Sequence, residues 1–258
     1  FIIIYNLLYN EAMPKFILEK NGIEIIKLNK NIRKLISDDI KEDIHKKLKL
    51  GNSVNFERIS KHINHLDNIT FNNLFGSVAN RYLSYKVTKE INSYINYFKL
   101  NRNFKKVFLH QMTPLDLKEN QELKKNNYCV YYRIVRRKKN DTLFIHRDCD
   151  FWKLHSKHKK LAPIISNKYT KRIKIWLPIY GCNTQNSLKF FNYSHLHDIK
   201  CKYKTIKGLK KPEIDQNYVK TNKKNIVMPF KNFNSDVVMF DDECVHFAPT
   251  NTSSNLRI

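Results

Sequence analysis

Hydrophobic residues recur at helical spacing through the first hundred positions of the chain. Intervals of three and four residues relate the apolar side chains of the stretch 31–50, which are Ile32, Leu35, Ile36, Ile40 and Ile44. The stretch 75–100 repeats the pattern with Val78, Tyr82, Tyr85, Ile91, Tyr94 and Ile95. Side chains at this spacing share one face of an α-helix. We therefore predict a mostly helical region over residues 1–100, with a short strand at 22–28 where apolar positions partly alternate.

The periodicity changes near Asn101. Short runs of β-branched and aromatic residues then alternate with polar breaks: KKVFLHQM, NYCVYYRIVRR, DTLFIHRD, RIKIWLPIY, SLKFFNYS, NIVMPF and SDVVMFDDECVHFAPT. A helical pattern of useful length separates them only around 113–126. Serial strands without intervening helices are typical of an antiparallel sandwich or barrel. This pattern predicts a mainly β fold with N-terminal helices, in which residues 101–258 form a jelly-roll-type core.

Composition adds limits on domain number and partners. The 258 residues include only 5 Gly and 7 Pro, so we expect a single domain over 1–258 without a long flexible linker. The net charge of +25 comes from lysines spread along the whole chain with Asn and Ile. That spread indicates a general compositional bias and solvated surface, which argues against nucleic acid as partner but suits an anionic small substrate.

Cysteine usage and the apolar N-terminal stretch bear on localisation. The 5 Cys residues form no Cys-x-x-Cys pair, which favours a reduced, cytoplasmic protein. The stretch FIIIYNLL is too short to cross a bilayer, so we expect no membrane span.

The triplet His146-Arg147-Asp148 has two incompatible interpretations. It matches the catalytic loop of a protein kinase, which requires an Asn five positions after the Asp. Lys153 stands at that position, and the sequence has neither a Gly-x-Gly-x-x-Gly loop nor an Asp-Phe-Gly motif. The kinase interpretation therefore fails.

The second interpretation is an iron site. Two His and one carboxylate on one face bind non-heme Fe(II) and leave further positions open. On a strand end, residues i and i+2 such as His146 and Asp148 project to the same side. His246 follows at the start of a predicted strand, and Arg257 stands eleven positions later. That spacing suits 2-oxoglutarate, whose C5 carboxylate needs a planar guanidinium to hold it.

Three stretches together resemble the phytanoyl-CoA dioxygenase-like branch of the Fe(II)/2-oxoglutarate-dependent oxygenases: HRDCDFW, KIWLPIYGCNTQNSLKFFNYSH and DVVMFDDECVHFAPTNTSSNLRI. The middle stretch matches the family's pattern at Trp176, Pro178, Asn186, Leu188, Ser194 and His195. The run from Tyr131 to Trp152 further resembles oxygenases of bacterial surface-carbohydrate clusters. The likeness covers residues 105–258 and implies a double-stranded β-helix, the cupin-like form of the jelly roll. Three positions depart from the family's pattern: Ser187 and Tyr193 replace glycines, and Ala248 replaces a small polar residue.

The resemblance also implies residue roles. His146, Asp148 and His246 would bind Fe(II), and Arg257 would bind the C5 carboxylate of 2-oxoglutarate. Trp176, Arg133 and Tyr131 would line the co-substrate pocket. Trp152 falls where relatives present an aromatic side chain to substrate, and His155 is the second candidate substrate contact. The acidic residues Asp241, Asp242 and Glu243 we interpret as a solvated turn rather than a second metal site.

The expected reaction is hydroxylation of a small molecule by dioxygen, with release of succinate and CO2. The carbohydrate-cluster likeness suggests a sugar or glycan precursor as substrate. Desaturation, ring closure or epimerisation at the same iron site stay open. So does a different class of function, in which a basic β-sandwich binds nucleic acid or a polyanionic glycan without catalysis.

Overall fold

The structure, a computed structural model, describes residues 17–50, 55–76, 81–91, 107–108, 130–139, 141–142, 144–155, 171–206 and 209–258. Backbone alone is described for 107–108, 152–155, 171–172, 206 and 209. Within these residues the fold combines helices with antiparallel β-sheets, as the sequence predicts. The predicted helix around 113–126 lies outside the described residues, as do Val78, Tyr94 and Ile95.

Four helices dominate the first part of the chain: α1 (Leu18–Asn21), α2 (Lys30–Leu48), α3 (Phe56–His65) and α4 (Asn68–Phe75). Polar residues start the last three, because their side chains accept hydrogen bonds from otherwise unpaired backbone N–H groups. Asn29 accepts from Asn31 N, Asn55 from Arg58 N, and Asp67 from Ile69 N and Thr70 N. The predicted strand before α2 is present as β1 (Ile23–Lys27).

The predicted apolar face of α2 is confirmed, since Ile36, Ile40 and Ile44 are all buried. The second predicted face is wrong in part. Residues 85–91 are helical, but Tyr85 is 54% exposed, whereas Val87 and Ile91 are buried. Val87 and Ile91 are one turn apart, and Tyr85 points about 200° away from Val87 around the helix axis.

In the described part of the chain, nine strands lie in two sheets and a separate hairpin. They are β1, β2 (Val107–Phe108), β3 (Lys171–Trp176), β4 (Lys189–Phe191), β5 (Cys201–Ile206), β6 (Leu209–Ile214), β7 (Ile226–Val227), β8 (Asp236–Asp241) and β9 (His246–Phe247). The first sheet has the order β1-β8-β3-β2, and the second has the order β7-β4-β9. The pairs of β8 with β1 and β3, and of β4 with β7 and β9, are antiparallel, whereas β2 and β3 run parallel.

Three elements were not predicted. Helices α5 (Asp148–His155) and α6 (Gln216–Thr221) interrupt the run of strands. They have 8 and 6 residues, too few to present a readable apolar periodicity. The β5–β6 hairpin escaped notice because lysines occupy both of its faces, with Lys202, Lys204 and Lys210 exposed. Alternation signals a strand only when one face is buried.

The two sheets share one apolar cluster. Ile23 of β1 and Phe240 of β8 pack with Phe190 of β4 from the other sheet. Every residue of β8 is buried, because the opposite face of its sheet is covered by Leu18 of α1, which packs with Met239. A second cluster joins α2, α3 and α4 to the segment around Ile134. None of the helices in the described part of the chain is long and apolar enough to cross a membrane.

Candidate metal centre

His146, Asp148 and His246 converge at one buried point. One ligand atom from each residue lies within 4.8 Å of the other two, an arrangement that can hold a metal ion. His146 Nε2 is 3.7 Å from Asp148 Oδ1, and His246 Nε2 is 3.6 Å from Asp148 Oδ2. Two atoms that each lie about 2.1 Å from one metal are at most about 4.2 Å apart. These two separations therefore fit a shared ion.

Backbone pairing brings the two histidines together. His146 N donates to His246 O at 3.1 Å, and His246 N donates to His146 O at 3.0 Å. Residues opposed in this way place their side chains on the same side, and the ring centroids lie 4.4 Å apart. Asp148 does not continue a strand, contrary to the prediction. It is the first residue of α5, where its carboxylate also faces the positive end of the helix dipole.

Two backbone carbonyls orient the imidazole rings. His146 Nδ1 lies 2.6 Å from Phe144 O, and His246 Nδ1 lies 2.9 Å from Cys244 O. A carbonyl oxygen only accepts, so each Nδ1 carries the proton and each Nε2 keeps its lone pair. Hydrogen bonds of this kind fix the tautomer that a metal-ligating His needs. The sequence did not reveal these partners.

Burial sets the protonation of the centre. It lowers the pKa of His146 to about 3, with a further contribution from His246, and it also lowers the pKa of His246. Burial alone would raise the pKa of Asp148, but Lys174 and the two histidines lower it to about 2. At neutral pH the centre therefore consists of two neutral imidazoles and one carboxylate, which are the protonation states that bind metal.

Lys174 is a residue of the centre that sequence reasoning missed. Its Nζ lies 2.7 Å from Asp148 Oδ2, and its side chain is only 18% exposed. Lys174 and Trp176 are two residues apart on β3, so their side chains point to the same side of the sheet. Because Trp176 was already expected at the co-substrate pocket, this spacing could have identified Lys174 as a neighbour of the site.

Arg257, the expected anchor of the co-substrate, is buried, 4% exposed. Its backbone pairs with Val135 by two hydrogen bonds. Its Nη1 donates to Pro249 O at 3.1 Å and to Asn186 O. No carboxylate of the described residues forms an ion pair with it. Burial, aided by the nearby charge of Arg133, lowers its pKa to about 10.

The three other residues expected to line the co-substrate pocket differ in burial and in packing partners. Arg133 is half-buried and precedes Val135 by two residues, so its side chain is on the same side as that of Arg257. Tyr131 packs edge-on against Tyr82, with ring centroids 6.4 Å apart. Trp176 packs on Phe230, with centroids 5.2 Å apart, within the apolar cluster between the sheets. Trp152 and His155 belong to α5, but their side chains lie outside the described residues.

The acidic turn between β8 and β9 is buried, contrary to the prediction of a solvated turn. Asp241 and Asp242 are 6% and 5% exposed, so they are not solvated, and only Glu243 is exposed. Asp241 Oδ1 accepts from Glu243 N at 3.0 Å, and Asp242 O accepts from Cys149 N at 3.0 Å. The turn is buried because it packs against the start of α5 and so helps to place Asp148 beside His246.

Residues of the stretch KIWLPIYGCNTQNSLKFFNYSH hydrogen-bond to segments next to His246 and Arg257. Ser194 Oγ accepts from Val245 N at 2.8 Å, directly before His246. Asn186 Nδ2 donates to Gly181 O and to Asn251 Oδ1, both at 2.9 Å, and Asn186 O accepts from Arg257. Tyr193 has φ 65°, in the left-handed region that favours glycine.

Aromatic side chains surround the two histidines. Phe151 packs edge-on against His146, with centroids 5.4 Å apart, and Phe240 packs against His246 at 4.8 Å.

No protein-family model matches the chain, and no curated protein matches it significantly. The centre is therefore interpreted from its own residues and geometry.

Proposed function

We propose that the protein is an Fe(II)- and 2-oxoglutarate-dependent dioxygenase that hydroxylates a small molecule. The observation that carries this proposal is the convergence of His146, Asp148 and His246, with both Nδ1 atoms held by carbonyls. Two imidazoles and one carboxylate with open positions are the ligand set of non-heme Fe(II) oxygenases. Zinc sites use related ligands, so an anion-binding feature in addition to the triad matters for the choice.

That feature is Arg257. A buried guanidinium with no ion-pair partner among the described residues is costly unless an anion joins it. Its planar fork suits a carboxylate, and the C5 carboxylate of 2-oxoglutarate would supply one. Arg133 would add positive charge to the same pocket, with Tyr131 and Trp176 as wall residues. These assignments follow the resemblance stated above.

The proposed fold is a double-stranded β-helix of the cupin-like jelly-roll type. Two sheets with a shared apolar cluster and a metal triad at the edge of that cluster support it. The left-handed backbone at Tyr193 also supports the resemblance, because the family has glycine at the matching position.

Iron would supply oxidation by dioxygen when bound. Overall, one oxygen atom of dioxygen enters succinate as 2-oxoglutarate loses CO2, and the other enters a C–H bond of the substrate. The chain's own contribution is to orient and dry the site. Phe144 O and Cys244 O hold the imidazoles, while Phe151 and Phe240 exclude water from the two rings. A sugar or glycan precursor is the proposed substrate class.

The decisive experiment is spectroscopic. Anaerobic addition of Fe(II) and 2-oxoglutarate should produce the weak visible charge-transfer band of the chelated ketoacid. Asp148→Ala should abolish the band, whereas Glu243→Ala, an exposed acidic residue of the nearby turn, should leave it unchanged. Absence of the band in the unmodified protein would sink the proposal. Steeply salt-dependent polynucleotide binding in its place would favour the binding-protein alternative.

A second measurement addresses the substrate. Succinate release would be followed with panels of sugars, nucleotide sugars and amino acids, and the products would be analysed. Product analysis separates hydroxylation from desaturation, ring closure and epimerisation. Stimulation of succinate release above the substrate-free rate identifies the class of substrate.

A further inference from the structure

Lys174 contributes a positive charge directly beside the metal triad. Its Nζ lies 2.7 Å from Asp148 Oδ2, and the Asp148 side chain is only 6% exposed. Lys174 pairs with Phe240 across β3 and β8, and Phe240 packs against His246. The ammonium is thus held by the sheet at the centre rather than at the protein surface. In the chain without a metal, this ion pair neutralises the buried carboxylate.

Metal binding changes the charge balance of this pair. A divalent cation bound by Asp148 would share the carboxylate with the ammonium, leaving two cations beside one anion in a largely dry site. Even before Arg133 is counted, the positive charges of Fe(II) and Arg257 would balance Asp148 and the two carboxylates of 2-oxoglutarate. Lys174 then has no counter-charge among the described groups of the centre. Mostly buried, it also cannot recover full hydration.

We propose that Lys174 binds an anionic group of the substrate, so that the substrate carries a carboxylate or a phosphate. This inference rests on the proposed function and names the substrate class for the same site. Substrate binding, rather than co-substrate binding, follows from the different contacts of the two cations. Arg257, which donates to Asn186 O and Pro249 O, would take the C5 carboxylate of 2-oxoglutarate, whereas Lys174 contacts the metal ligand Asp148 directly. An anion on Lys174 would instead lie next to Asp148, close to the reacting position.

The test uses the protein loaded anaerobically with Fe(II) and 2-oxoglutarate. Acetate and methyl phosphate serve as probes for the two anion types, and the shift of the charge-transfer band reports their binding. Lys174→Met should weaken the tighter probe by about tenfold or more, while Lys174→Arg should stay within about threefold of the unmodified protein. In Lys174→Met the affinity for Fe(II) should be retained or increased, because the ammonium no longer competes for Asp148, and the affinity for 2-oxoglutarate should change by less than about threefold.

Lys27→Met is the matched control. Lys27 also forms an ion pair with an aspartate across strands of the same sheet, Asp236 of β8, but it does not touch the triad. It should bind both probes as the unmodified protein does.

Four results would overturn the inference. Lys174→Met could bind both probes normally, or lose 2-oxoglutarate instead, which would assign Lys174 to the co-substrate. It could lose Fe(II), which would make Lys174 a positioning residue for Asp148. Finally, the Fe(II) complex could bind neither probe. Absence of the charge-transfer band in the unmodified protein would overturn the proposed function as well, whereas the first four results would leave that function standing.

Discussion

Two buried arginines on neighbouring segments have very different hydrogen-bond and charge partners. Arg136 is 2% exposed, and Arg257, which pairs with the residue before it, is 4% exposed. The Arg136 guanidinium donates two hydrogen bonds to Asp141, at 2.9 and 2.8 Å, and another to Asn68 Oδ1 at 2.9 Å. Its guanidinium also lies 3.9 Å from the ring centroid of Phe71. Among the described residues, the Arg257 guanidinium donates only to two backbone carbonyl oxygens, those of Asn186 and Pro249.

The difference separates a charge with a carboxylate partner from a charge without one among the described residues. A buried guanidinium that is fully hydrogen-bonded and paired with a carboxylate joins elements of the fold, here the segment around Arg136 and the start of α4. A buried guanidinium without an anion is destabilising in the absence of ligand. The metal triad resembles Arg257 rather than Arg136 in this respect, because the Nε2 lone pairs of its histidines act as ligands only when a cation is present.

The largest expected effect is on stability at the structural arginine. Arg136→Met should lower the free energy of unfolding by about 3–5 kcal/mol, because Asp141 loses its bidentate partner in a mostly buried place. Urea denaturation followed by circular dichroism would measure it. Arg137→Met, at the exposed neighbouring position, is the control and should change stability by about 0.5 kcal/mol or less. Equal unfolding midpoints for the two variants would contradict the structural role.

The next effect concerns the metal. Fe(II) at about 100 times its dissociation constant should stabilise the protein against unfolding by about 2.7 kcal/mol, since only the folded state assembles the triad. Anaerobic thermal unfolding with and without Fe(II) would measure this. His246→Ala should remove the stabilisation, whereas Arg257→Met should retain it. An undiminished metal effect in His246→Ala would show that the ion binds elsewhere.

The smallest effect on stability is expected at Arg257. Arg257→Met should change the free energy of unfolding by about 1 kcal/mol or less, because it removes a desolvated, unpaired charge along with two hydrogen bonds. The same variant should weaken 2-oxoglutarate binding by about 100-fold or more, as measured by titration of the charge-transfer band. A loss of stability as large as that of Arg136→Met, with normal 2-oxoglutarate binding, would break the comparison between the two arginines.

The site was more predictable than the local structure that builds it. The Asp148 carboxylate reaches the histidines although it begins α5 instead of ending a strand. The expectation for the pair succeeded because a tight turn into a helix keeps residues i and i+2 close. The prediction of a solvated turn at Asp241 and Asp242 was wrong. An acidic composition favours exposure to solvent, but packing against the start of α5 buries this turn.

The sequence by itself determined the elements whose pattern is local. The helical spacing of Ile36, Ile40 and Ile44 specifies the buried face of α2, and the spacing of the His-x-Asp pair, with His246 downstream, indicates the residues that meet at the candidate metal centre. Periodicity and spacing record which side chains share a face, so they can be read along the chain.

Only the tertiary structure decided what surrounds these residues. The carbonyls that orient the imidazoles, the ammonium of Lys174 at Asp148 and the lack of a carboxylate partner for Arg257 among the described residues arise from distant segments. Lys174 and Asp148 are brought together by the fold, and no local pattern records that meeting. Long-range contacts depend on how sheets and helices pack, and burial then turns an ordinary lysine and an ordinary arginine into charges that must be balanced.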